Sequence, residues 1–134
     1  MKQEHIIVAT LGLDQHENGA IAITRILREA QMRVSYLGRF NTPKSVAESA
    51  AAEGVDVVGI SCHSWEYLTL VPQLLDELKE RGVKAPVVIG GSVITADDAA
   101  QMLRLGVGAV VNGAPTDDEV IDTIRRTARG DAEA

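Results

Sequence analysis

The segment Leu11-Gly12-Leu13-Asp14-Gln15-His16-Glu17-Asn18-Gly19 sets a carboxylate, an imidazole and a glycine in one short loop. Histidine is the commonest metal-ligating side chain, and a carboxylate on its second ring nitrogen fixes the tautomer and raises its donor strength. Asp14 and His16 have the types and spacing for such a ligand with its orienting partner. A plain alternative exists, in which the Asp caps the next helix beside an exposed His.

Three other short segments carry similar residues: Ser61-Cys62-His63-Ser64, Gly90-Gly91-Ser92 and Gly113-Ala114-Pro115-Thr116. Taken singly, each has a structural reading. Ser61 can satisfy a neighbouring backbone group at a strand end. Gly90-Gly91 can be a turn or a place of close backbone approach. Thr116 and Glu119 have the form of a capping box. Gly19 can ease the turn into a helix, and no GxGxxG or Walker pattern accompanies it. Cys62, the only cysteine, reads as an inert, partly buried thiol, while Trp65 and Tyr67 read as packing residues or a partner-facing patch. His5 reads as a surface residue at the start of a strand.

The elements that would position these loops alternate along the chain. Strands are predicted at His5 to Leu11, Arg33 to Leu37, Val55 to Ser61, Pro86 to Gly90 and Ala109 to Asn112. Helices fall between and after them. The first, Gly19 to Ala30, is expected to bury Ile23, Ile26, Leu27 and Ala30. Thr42 and Pro43 open the second. The third runs from Trp65 to Glu80 with a Val71, Leu74, Leu75, Leu78 stripe and stops near Gly82. A fourth spans Ala96 to Leu105 between Thr95 and Gly106, and the fifth follows Thr116. Residues 130 to 134 read as a frayed tail.

The third and fourth strands are almost continuously apolar, as parallel strands covered on both faces are. Five βα units imply an α/β, flavodoxin-like (Rossmann-like), doubly wound five-stranded parallel sheet of order 2-1-3-4-5, one domain spanning residues 1–134 with its core at about 5–128. Such folds bind ligands at the carboxyl ends of their strands, where all four special segments converge. Length fits one domain, and the core must be aliphatic: 46% of the 134 residues are hydrophobic, with one Trp, two Tyr and one Phe. A formal charge of -6 argues against a phosphate-tracking nucleic-acid surface. A single cysteine excludes an internal disulfide or a multi-thiolate zinc site. Neither a signal peptide nor a membrane span is evident, so the expected location is cytoplasmic.

Asp14-Gln15-His16-Glu17-Asn18-Gly19 resembles the Asp-x-His-x-x-Gly signature of vitamin B12-binding domains. Ser61 matches the Ser of that family's Ser-x-Leu motif, with His63 at the leucine position. Gly90-Gly91 meets its Gly-Gly, and Gly113-Ala114-Pro115-Thr116 loosely follows its last turn. The resemblance implies adenosylcobalamin as cofactor and His16 as the lower axial cobalt ligand once the dimethylbenzimidazole base has swung away. Asp14 would hold the His16 ring, Ser61 would meet the displaced base nitrogen, and Thr116 would help enclose the nucleotide tail. Gly19, Gly90 and Gly91 would leave room for that tail. His63 would make its pocket more polar, and Thr10 stands where mutase relatives often carry a Lys.

Strand one is predicted to begin within the first ten residues, so the helical cap typical of methyltransferase-type corrinoid proteins is not expected here. The closer resemblance is to small subunits of adenosylcobalamin-dependent mutases acting on acyl-CoA thioesters. It implies a large TIM-barrel subunit as partner, isomerase chemistry only in the assembled enzyme, and no catalytic side chain in this chain. Monomer, homo-oligomer and heterotetramer stay open. A free-standing cobalamin carrier or sensor is the alternative. A receiver-like signalling domain ranks last, because Ser61 occupies the place of its acceptor Asp.

Overall fold

A computed structural model describes residues 3–13, 18–111, 113 and 115–130. Asp14, His16, the end of the fifth predicted strand at Asn112 and most of the expected tail lie outside the described residues. Strands and helices alternate as β1 (His5–Leu11), α1 (Asn18–Glu29), β2 (Arg33–Asn41), α2 (Pro43–Glu53), β3 (Val57–Ser61), α3 (Tyr67–Glu80), β4 (Val87–Gly90), α4 (Ala96–Leu105), β5 (Ala109–Val111) and α5 (Asp117–Ala128). The five strands pair in the order β2-β1-β3-β4-β5, and every pair is parallel. This is the expected flavodoxin-like topology.

Strand alternation sorts the core into two layers. Ile7, Val58, Ile60, Val87 and Ile89 face α2, α3 and α4, where they pack with Val46, Val71, Leu74 and Met102. Ile6, Val8, Val57, Val88 and Ala109 face the other way, toward Leu27 of α1 and Val120 and Ile124 of α5. On that second face Gly59, Ser61 and Gly90 share the parity of Val57 and Val88, so the centre of the sheet is short of side-chain volume beneath α1 and α5. Near the amino ends of the strands the two helices are tied together, Arg125 Nη2 donating to the Ala30 carbonyl at 2.7 Å.

Helix starts follow their caps. Thr42 accepts from Ser45 N at 3.0 Å ahead of Pro43, Thr95 accepts from Asp98 N at 3.1 Å, and Thr116 and Glu119 close the expected capping box. No side chain caps α3, which begins at Tyr67, two residues later than expected, after a turn at Trp65 and Glu66.

Three other expectations shift. β2 runs past Leu37 to Asn41 through irregular pairing with β1. It does so because the Asn41 amide donates to the carbonyls of Gly38 at 2.9 Å and Thr10 at 3.1 Å. On α1 the fully buried residues are Ala20, Thr24 and Leu27, not Ile23, Ile26 and Ala30, which are half-buried. The Thr24 hydroxyl is satisfied by the Ala20 carbonyl at 2.8 Å. His5 is 9% exposed rather than on the surface, its Nε2 2.9 Å from Ser35 Oγ and 3.3 Å from Glu53 Oε1.

Candidate functional site

Beneath α1 and α5 lies a cavity of about 350 Å³ that opens at the carboxyl ends of the strands. Its walls are aliphatic, from Ile6, Val8, Ile23, Leu27, Val88 and Ile124 among others, and Gly19, Gly59, Gly90 and Gly91 line it where side chains would otherwise stand. Ser61, His63 and Ser92 contribute its polar side chains, and among the described residues no acid, lysine or arginine lines it. A slot of this kind suits a flat, mostly apolar group with few hydrogen-bonding atoms.

Glycine has identifiable reasons here, strict at Gly91 and a matter of tight fit at Gly90 and Gly59. A β-carbon on Gly91, at φ +154°, would lie 1.7 Å from the Cys62 carbonyl oxygen. On Gly90 it would sit 3.2 Å from the Val111 carbonyl, and on Gly59 3.2 Å from the Ile7 carbonyl. Gly59 was not singled out from sequence. A glycine inside a strand is itself a sign of close backbone approach, and here it also forms cavity lining.

At one end of the slot Ser61 Oγ is 2.9 Å from His63 Nε2. Both side chains are part-buried. The imidazole lies against the start of α1, where a β-carbon on Gly19 would come within 2.8 Å of Nε2. Sequence segments far apart in the chain thus bring Gly19, Ser61, His63, Gly90 and Gly91 to one cavity. Thr116 stands apart from that lining: it is exposed, and its hydroxyl caps α5. Its neighbours Gly113 and Pro115 do reach the cavity.

The segment that leads toward Asp14 and His16 starts from a fixed point. Gly12, at φ +65°, donates its N–H to the Asn41 carbonyl at 2.8 Å. Leu13 N–H donates to the Glu66 carboxylate, at 3.1 Å to Oε1. Glu66 is a second residue that sequence reading passed over, and nothing in a lone acid at a helix start flags it. Thr10 is fully buried and donates to the Gly38 carbonyl at 3.2 Å. Three exposed apolar side chains, Leu13, Phe40 and Trp65, follow or end β1, β2 and β3 at this same edge. Cys62 is buried and its sulfur approaches the Ile60 carbonyl at 3.7 Å. Among the described residues no group of three His, Cys, Asp or Glu side chains could hold a metal ion, and no helix is long and apolar enough to cross a membrane.

Fold and cavity together define a doubly wound domain with a cavity at its topological switch point, where such folds bind ligands. The chain belongs to the B12 binding domain family, whose model matches residues 4–125. It is 39% identical over 127 residues to the 2-hydroxyisobutanoyl-CoA mutase small subunit of Aquincola tertiaricarbonis, covering 93% of each chain. With the pivalyl-CoA mutase small subunit of Xanthobacter autotrophicus it shares 32% identity over 89% of this chain and 80% of the relative. Ethylmalonyl-CoA mutase of Cereibacter sphaeroides is 36% identical over 78% of the chain, which spans 16% of that longer protein.

Among solved structures, a cobalamin-binding protein from Desulfitobacterium hafniense superposes with TM-score 0.78 at 22% identity, over 94% of this chain and 60% of that one. The receiver domain of NarL from Mycobacterium tuberculosis gives 0.76 at 15% identity, over 97% and 99%. Both likenesses concern the fold alone. The chain is thus a cobalamin-binding domain of the kind found in acyl-CoA mutases.

Proposed function

We propose that this chain is the cofactor-binding subunit of an adenosylcobalamin-dependent carbon-skeleton mutase, with His16 as lower axial cobalt ligand and the displaced benzimidazole nucleotide lodged beneath α1 and α5. The observation that carries the reading is the slot itself. Its aliphatic walls and glycine lining suit a planar heteroaromatic ring, and the Ser61–His63 pair offers that ring's nitrogen a polar partner. Cobalamin, when bound, supplies radical chemistry through its cobalt–carbon bond.

The chain's own residues bind and orient. Asp14 would accept a hydrogen bond from the second nitrogen of His16 and so fix the ring. Glu66 and Asn41 anchor the start of that loop. Gly19, Gly59, Gly90 and Gly91 keep the path of the tail clear, and Thr116 shapes its far wall by holding the start of α5. No side chain here serves as a substrate acid or base. Substrate binding and rearrangement belong to a separate large subunit with a TIM-barrel fold, which would close over the edge rimmed by Leu13, Phe40 and Trp65.

A second reading, a corrinoid carrier or sensor without a mutase partner, is favoured by Thr10. Buried and bonded to Gly38, it offers no charge to extend an Asp14–His16 relay. The deciding measurement for the main reading is the visible spectrum of the chain loaded with cobalamin, beside the His16→Ala variant. Native protein is expected to hold the cofactor base-off with a histidine on cobalt, and the variant to lose that ligation. A benzimidazole that stays on cobalt in the native complex overturns the assignment. Acyl-CoA isomerisation on mixing with a large mutase subunit separates the main reading from the carrier.

A further inference from the structure

The polar end of the cavity is a two-residue device, and its histidine does more than fill space. Ser61 has one proton to donate, and His63 Nε2, 2.9 Å from its oxygen, can either take that proton or donate its own. When Nε2–H donates to Ser61 Oγ, the serine proton is left to point into the slot. When the serine donates to Nε2, only lone pairs face inward. A ligand presenting an acceptor nitrogen is matched by the first arrangement and repelled by the second. Ser92, the other polar side chain of the lining, is exposed at the mouth. The Ser61–His63 pair therefore holds the part-buried polar side chains of an otherwise aliphatic slot, where such a hydrogen-bond chain is stronger than in water.

We propose that His63 is a specificity-determining positioning residue: it turns Ser61 into a directed donor and so selects corrinoids whose nucleotide base carries an acceptor ring nitrogen over those with a phenolic base or none. The inference rests on the cobalamin reading above. Gly19 belongs to the same device. Its missing β-carbon is what allows the imidazole to lie against α1, since that carbon would fall 2.8 Å from Nε2 and 3.5 Å from Ser61 Oγ. The chain thus couples three positions, Gly19 for space, His63 for direction and Ser61 for contact.

The test compares dissociation constants of cobalamin, p-cresolyl cobamide and cobinamide, which has no base, for the native chain, His63→Leu, His63→Gln, Ser61→Ala and the Ser61→Ala/His63→Leu double variant. Comparing each variant with native for the same ligand cancels the work of displacing the base from cobalt. His63→Leu is expected to weaken cobalamin about tenfold, equivalent to about 1.4 kcal/mol, and to leave cobinamide and the cresolyl cobamide unchanged. His63→Gln, which retains an N–H donor, is expected to recover most of the loss. In the Ser61→Ala background the second substitution should add nothing. Equal weakening of all three corrinoids by His63→Leu, or no weakening of cobalamin, overturns the proposal while leaving the cobalamin reading intact. Failure of the native chain to bind both cobalamin and cobinamide instead removes the reading on which the proposal stands.

Discussion

Gly91 passes so close beneath Cys62 that the two backbones leave no space for even a methyl group: a β-carbon on Gly91 would meet the Cys62 carbonyl oxygen at 1.7 Å. The contact joins the carboxyl ends of β3 and β4, where Cys62 N–H also donates to the Gly90 carbonyl at 2.7 Å. Gly91→Ala must push these strand ends apart. Overpacking a tight core costs about 1–3 kcal/mol, and here the obstacle is backbone, which cannot rotate aside. The variant is expected to lose about 3 kcal/mol of stability, read as a lower urea midpoint at unchanged slope. A midpoint within error of the native chain would refute the contact.

Ala22 offers the opposite experiment, because it lines the slot from the α1 side, is only half-buried and belongs to neither core layer. Ala22→Phe should send its ring into the space beneath α1. Stability is expected to stay within about 1 kcal/mol of native, since the ring enters existing volume in place of displacing neighbours. Cobalamin affinity is expected to fall at least about 100-fold, roughly 2.7 kcal/mol. Equilibrium dialysis and urea unfolding on the same preparation separate the two effects, and undiminished binding would show that no ligand enters the slot.

Tyr67 sets an alkaline limit to stability. Its hydroxyl is buried under the start of α3, and among the described residues none meets it at full hydrogen-bond geometry, Asp98 being the nearby polar group. Burial, and then the nearby Asp98 carboxylate, push its pKa from 10.0 up to about 12. Between those values the unfolded chain releases this proton and the folded chain keeps it, so ionisation favours unfolding. The contribution is fully present below pH 10 and is lost as pH climbs toward 12. Tyr67→Phe should flatten the decline in this window. At neutral pH it is expected to be neutral or stabilising by up to about 1 kcal/mol, because a buried hydroxyl lacking a partner is a liability. Thermal melts at pH 7, 10 and 11 read both effects, and a clear destabilisation at pH 7 would mean that the hydroxyl is bonded after all.

Much of the architecture was readable wherever local chemistry is self-contained. Thr42-Pro43, Thr95 and Thr116 with Glu119 announce their helices because a cap is an agreement among neighbours in sequence. The far end of β2 was hidden, since Gly38 resembles a stop and only the Asn41 amide, reaching across to Thr10, explains why the strand goes on. The buried face of α1 was displaced by a few residues for a related reason. Aliphatic spacing favoured Ile23 and Ile26, but the helix lies over a hollow, and small Ala20 with Thr24 makes the close approach. Ser61, His63 and the glycine pair were found as loop residues at a predicted switch point. Gly59 escaped because an apolar run does not reveal which of its faces will be left unfilled. That depends on register with β1 and β4 and on which helices cover each side.

The two sides of this sheet differ in kind. One is filled to the centre by α2, α3 and α4, whereas the other holds a cavity beneath α1 and α5, which are clasped near their carboxyl-terminal ends through Arg125 and Ala30. Entry to a slot beneath two helices calls for those helices to part, and the parallel strands need not change register for that. Such a local opening demands less free energy than global unfolding. On the cobalamin reading, a long, branched cofactor is therefore expected to load into the finished domain after synthesis, with no need to fold the chain around it.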